Sequence, residues 1–113
     1  MNGELLFVYG TLRLPHVQEF VVGRRVSGRG AHLPGWRLQQ LSIADPSVVG
    51  VSGEAVHPIA VPDPDAIEGV AGSVLELSPE ELARVDGYEV GDYERVRVRL
   101  NDGTRVWFYA ARS

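Results

Sequence analysis

The sequence predicts an α+β fold dominated by strands: a mainly antiparallel sheet, open or closed into a small barrel, with two short helices. Three stretches carry this reading. "LLFVY", Leu5 to Tyr9, is a short apolar run bounded by turn residues, the pattern of a strand buried on both faces. "YERVRVRL" alternates strictly and passes through Asn101-Asp102-Gly103 into "TRVWFYAA", the pattern of a β-hairpin. "SPEELARV" carries the start signals of a helix.

Taken in order, the first strand ends at a Tyr9-Gly10-Thr11-Leu12 turn. Pro15 permits a helix start, and Val17, Phe20 and Val21 then form one apolar stripe that ends at Gly23. Gly28, Gly30, Pro34 and Gly35 break the next region into short extended pieces, with Trp36 and Leu38 expected to point inward. From 42 to 69 the prolines at 46, 58, 62 and 64 forbid a long helix. This segment reads as mostly loop, with a short strand near Val48 to Val56. Loops of this length in a compact domain are often functional.

"VAGSVLEL" follows as a strand, with Val70, Gly72, Val74 and Glu76 on one face and Ala71, Ser73, Leu75 and Leu77 on the other. In the second helix Ser78 is the cap, Pro79 takes the first helical position and Glu81 completes a capping box. Leu82 and Val85 face the core, and Gly87 is expected to stop the helix after about two turns. On the next strand Val96, Val98 and Leu100 share a face with Glu94, and Tyr93, Arg95, Arg97 and Arg99 share the other.

The 113 residues suggest a single domain, 1–113, and 44% hydrophobic content is enough for its core. The net charge of -4 argues against nucleic acid or an anionic membrane as partner. All eleven basic residues are Arg, which bars lysine Schiff-base or P-loop chemistry, and with no Cys there is no thiolate catalysis and no disulfide. The N-terminus has no basic n-region and no apolar run is long enough to span a bilayer, so a cytoplasmic location is expected.

Most candidate motifs carry little. The Arg95, Arg97 and Arg99 stripe reads as a solvated outer face. His16, His32 and His57 share no metal-ligand spacing, so no metal site is expected. There is no G-x-S-x-G elbow, and Gly28-Arg29-Gly30 lacks a strand-turn-helix context. Two places remain. Gly10 lets backbone approach a ligand closely, and the N–H groups of this turn can form an anion-binding nest, although the same residues also make an ordinary turn. Glu89 follows the second helix between Tyr88 and Val90. It is either a loop glutamate in water or a partly buried carboxyl whose raised pKa suits proton transfer. Tyr93, close by, is a candidate pocket wall.

"FVYGTLR", "VAGSVLELS" and "VDGYEVGDYERVRV" together resemble the gamma-glutamylcyclotransferase-like (AIG2-like) family. Its members show a Tyr-Gly-Thr/Ser-Leu turn after the first strand, and later a Leu/Val-Asp-x-Tyr/Phe-Glu segment followed by Tyr-x-Arg. The likeness spans nearly the whole chain and is weak from about Ser42 to Glu68. It implies a small mixed β-barrel with short flanking helices. It implies an enzyme that cyclises a gamma-glutamyl compound to 5-oxoproline and releases the attached amine or amino acid, without metal or organic cofactor. The family's catalytic glutamate falls on Glu89, and its substrate-binding turn on Tyr9, Gly10, Thr11 and Leu12. Two further readings stand beside this: a non-catalytic barrel that binds a small carboxylate, and a purely structural domain.

Overall fold

The computed structural model describes residues 3–42, 56–89 and 93–111. Its elements are β1 (Glu4–Val8), a 3-10 turn (Thr11–Arg13), α1 (Pro15–Val21), β2 (Arg29–Leu33), β3 (Trp36–Ser42), β4 (Val56–Pro62), β5 (Val70–Leu77), α2 (Pro79–Tyr88), β6 (Tyr93–Arg99) and β7 (Arg105–Ala111). The strands form one sheet in the order β2-β5-β1-β7-β4-β3, with β6 also on β7. Most ladders are antiparallel; β7 is parallel to β1 and to β4.

The two ends of that order, β2 and β3, are consecutive in the chain. Leu33 and Trp36 are three Cα steps apart, at most roughly 10 Å. The sheet must therefore curl enough to bring these two strand ends together at Pro34-Gly35. Gly69 closes the same corner: it has φ +71° and lies against the Leu33 carbonyl, where a Cβ would collide with backbone.

A rolled sheet has an inner and an outer face, and both are buried here. Phe7, Tyr9, Leu33, Val70, Val74, Val106 and Phe108 fill the inside, with Trp36 edge-on to Phe108 at 4.8 Å. Leu6, Val8, Leu75 and Leu77 face outward, under Val17 and Val21 of α1 and Leu82 and Val85 of α2. Burial on both sides is why the β1 run is apolar at consecutive positions rather than alternating.

Four expectations need correction. Phe20 is 71% exposed, and Gln18 takes its place in the core. At 100° per residue Leu14, Val17, Gln18 and Val21 share one arc, and Phe20 falls outside it. Gln18 is satisfied there by donating to the Leu12 carbonyl (3.0 Å) and accepting from the Val26 N–H (2.9 Å). Leu38 is 40% exposed, because β3 is the last strand of the order.

The short strand expected near Val48 to Val56 falls almost wholly outside the described residues; the stretch read as mostly loop instead contains β4 over Val56–Pro62, which pairs with β3 along its whole length. Residues 43–55 lie outside the described ones. Two prolines survive in this interior strand because of their parity. Backbone groups of residues 58, 60 and 62 all point away from β3, toward the side where β4 touches β7 only at Ala60. α2 runs through Gly87 to Tyr88, with the expected capping box intact (Glu81 N–H to Ser78 Oγ, 3.1 Å; Ser78 N–H to Glu81, 2.9 Å). The hairpin turns at Asn101-Asp102-Gly103 as expected, with Gly103 at φ +88°. Among the described residues no helix is long and apolar enough to cross a membrane.

Candidate active site

β7 positions the site. β6 pairs with one of its edges from Arg99↔Arg105 to Tyr93↔Ala111. The other edge is shared: β1 bridges it at Leu6↔Trp107, and β4 at Ala60↔Ala110. Between the two bridges the ladder is interrupted, and the Tyr9 side chain spans the gap. Its hydroxyl donates to the Tyr109 carbonyl and accepts from the Ala60 N–H at 3.1 Å. A phenol thus substitutes for strand backbone, and the main chain is free to turn away at Gly10.

That departure opens a small pocket that is partly open to solvent. Phe7 to Leu12 make one wall. Pro58 of β4, Tyr93 of β6, Tyr109 of β7 and Glu89 from the end of α2 complete it. All six residues singled out in the sequence, Tyr9, Gly10, Thr11, Leu12, Glu89 and Tyr93, therefore border one cavity. Pro58 and Tyr109 were missed. Tyr109 is one aromatic in a core strand, and Pro58 one proline among several, so neither carries a local signal.

The geometry divides these residues by what each has left to offer. Tyr9 is fully used in the ladder. Thr11 Oγ1 is 3.0 Å from the Tyr88 hydroxyl. Tyr93 donates to the Pro58 carbonyl at 3.0 Å, and Tyr109 to Asp86 Oδ1 at 2.6 Å. Burial pushes the Tyr9 and Tyr109 phenols well above their ordinary range, so both stay neutral. The 3-10 turn is closed by Arg13 N–H to Gly10 O (3.2 Å) and Leu14 N–H to Thr11 O (2.9 Å), and no side chain caps it. The N–H groups of Thr11 and Leu12 open the turn and have no partner within it. A Cβ on Gly10 would meet the Pro58 ring at 4.0 Å, an ordinary van der Waals distance.

Glu89 is the only acid among the described pocket residues, and no base faces it there. It occupies the C-cap of α2, its N–H bonded to the Val85 carbonyl at 2.8 Å. Burial pushes its carboxyl up to about 7. The negative end of the α2 dipole acts in the same direction. No hydrogen bond from a described residue offsets that burial. A carboxyl raised by burial is costly to ionise, and such groups recur where protons are moved. The pocket thus brings a carboxyl raised by burial together with a turn that no side chain caps. Among the described residues no cluster of His, Asp or Glu could hold a metal ion.

Comparison with known proteins places this arrangement in context. The family model described as Gamma-glutamyl cyclotransferase, AIG2-like, matches residues 6–113. A solution structure from Arabidopsis thaliana is 25% identical, with TM-score 0.73, and covers 98% of this chain and 63% of that one. A second Arabidopsis thaliana protein is 26% identical, with TM-score 0.71 and 98% and 70% covered. A structure named gamma-glutamyl cyclotransferase has the same fold, with TM-score 0.69 at 18% identity and 99% and 68% covered. The chain thus spans about two thirds of the length of these relatives. No curated protein matches its sequence.

Proposed function

The chain belongs to the gamma-glutamyl cyclotransferase, AIG2-like family, and on that premise we propose that it cyclises a gamma-glutamyl compound to 5-oxoproline with Glu89 as general base and acid. The observation that carries this is a carboxyl, raised to about 7 and with no donor among the described residues, in one pocket with a turn that no side chain caps.

The reaction needs the substrate's α-amine to attack its own γ-carbonyl carbon. At neutral pH that amine is largely protonated. Glu89 in its ionised form takes the proton, the new N–C bond closes the five-membered ring, and a tetrahedral oxyanion forms. The same carboxyl then gives the proton to the leaving nitrogen as the oxyanion collapses and the C–N bond breaks, and the ring nitrogen passes its remaining extra proton to the departing amine, which leaves as the ammonium. A group poised near 7 is half ionised at neutral pH, so it serves both steps. Attack is intramolecular, and holding the chain bent supplies much of the rate. The Thr11 and Leu12 amides are suited to anchor the α-carboxylate or to meet the oxyanion. The rings of Tyr93 and Tyr109 and Pro58 wall the substrate in.

The test is 5-oxoproline release across a panel of gamma-glutamyl dipeptides and gamma-glutamylamines. Product is expected from at least one, with kcat/KM rising with pH and levelling above about 7. Glu89→Gln should abolish it with the circular dichroism spectrum unchanged. Equal turnover by Glu89→Gln would remove Glu89 from the mechanism. The second reading, a barrel that binds a small carboxylate without turning it over, is favoured by one feature: the four hydroxyls at the pocket are already hydrogen-bonded within the protein. Binding without product across the panel would select it.

A further inference from the structure

Glu89 follows the last turn of a ten-residue helix, and that turn contains Gly87 with open space around it. Glycine is among the least helix-favouring residues, and helix ends fray. The helix alone therefore does not fix where the carboxyl points. Two side chains on either side of Gly87 are tied to other elements. Asp86 Oδ1 accepts from the Tyr109 hydroxyl of β7 (2.6 Å) and forms an ion pair with Arg95 Nε of β6 (3.0 Å). The Arg95 guanidinium is itself held over the Trp107 ring, 4.5 Å from its centroid. The Tyr88 hydroxyl meets Thr11 Oγ1 of the first turn at 3.0 Å.

We propose that Asp86 and Tyr88 are positioning residues: a two-point clamp, Arg95–Asp86–Tyr109 to the sheet and Tyr88–Thr11 to the first turn, fixes the end of α2 so that Glu89 faces the amides. The Thr11 hydroxyl then acts on the glutamate through Tyr88 and is not itself a substrate ligand. The inference rests on the reading of Glu89 as the acid/base.

Thr11→Val and Tyr88→Phe each delete one hydroxyl of the same bond, Tyr109→Phe deletes the other anchor, and Thr11→Ser keeps its hydroxyl. Two readouts are used: the titration of the Glu89 carboxyl followed by carbon-13 NMR, and kcat and KM measured separately. Thr11→Val and Tyr88→Phe should each lower kcat on the order of tenfold and leave KM within about twofold. Glu89 should titrate at lower pH in both variants, as its carboxyl gains access to water. The double variant should lose less than the sum of the two singles, since both remove the same bond. Tyr109→Phe should act in the same direction, and Thr11→Ser, which keeps the hydroxyl, should lose less kcat and shift the Glu89 titration less than Thr11→Val. A raised KM in Thr11→Val alone, with Tyr88→Phe silent, would make Thr11 a substrate ligand and overturn the clamp. So would an unchanged Glu89 titration in all three. The NMR readout needs no turnover, so a protein inactive on every substrate would defeat the proposed reaction and still leave the clamp decided.

Discussion

Replacing Glu89 by Gln should change stability more favourably above neutral pH than below it. The fold raises this carboxyl from its ordinary 4.5 to about 7. The folded state thus holds the proton more tightly than the unfolded chain does. Below pH 4.5 both states are protonated and there is no penalty. Between 4.5 and 7 the unfolded chain ionises first, and stability falls as pH rises; above 7 the loss is constant. At about 1.4 kcal/mol per pH unit, the interval from 4.5 to 7 corresponds to about 3 kcal/mol. Gln lacks the ionised form and escapes this term, so urea denaturation should show a change on substitution that is more favourable at pH 8 than at pH 5 by about 2–3 kcal/mol. A buried amide without a partner carries its own cost of about 1–3 kcal/mol, but that cost is the same at both pH values. The difference between the two changes is therefore the diagnostic. An equal change at pH 5 and pH 8 would show that Glu89 is not held protonated by burial, and the case for a proton-transfer group tuned to neutrality would fall with it.

Tyr9→Phe keeps the ring and orphans the Ala60 N–H and the Tyr109 carbonyl; it should cost about 2–3 kcal/mol in chemical denaturation and speed hydrogen exchange at the Ala60 amide. Ser78→Ala removes the cap of α2 and its reciprocal bond with Glu81. It should lower stability by about 1 kcal/mol in the same assay, with the pocket unaltered.

The elements whose signals are local were legible. The capping box over Ser78 to Glu81, the strand Val70–Leu77 and the hairpin at Asn101 to Gly103 depend on neighbours within a few positions, and the structure has them as expected. The misses have one cause. Whether Phe20 or Gln18 enters the core depends on which arc of α1 meets the sheet. Whether Pro58 and Pro62 break a strand depends on which side of β4 needs donors. Neither fact is written near those residues; both follow from partners fixed elsewhere in the chain. Gly87 is the same error in reverse. Its intrinsic preference favours a stop, and anchors at Asp86 and Tyr88 carry the helix past it.

The site obeys the same rule at longer range. Glu89 and Gly10 each have an innocent local reading, and periodicity decides neither. What joins them is the division of one edge of β7 between two strands that both run parallel to it. Two strands cannot occupy the same edge at the same height, so one must leave; β1 leaves at Tyr9 and a wedge opens beside β4. The buried backbone groups exposed by that departure need a partner, and a tyrosine at the last position of the run can reach across to supply it. Phenylalanine at position 9 would preserve the apolar run and its periodicity and forfeit both bonds. The hydroxyl of Tyr9 is therefore the one feature of "FVYGTLR" that requires a pocket rather than merely allowing a turn.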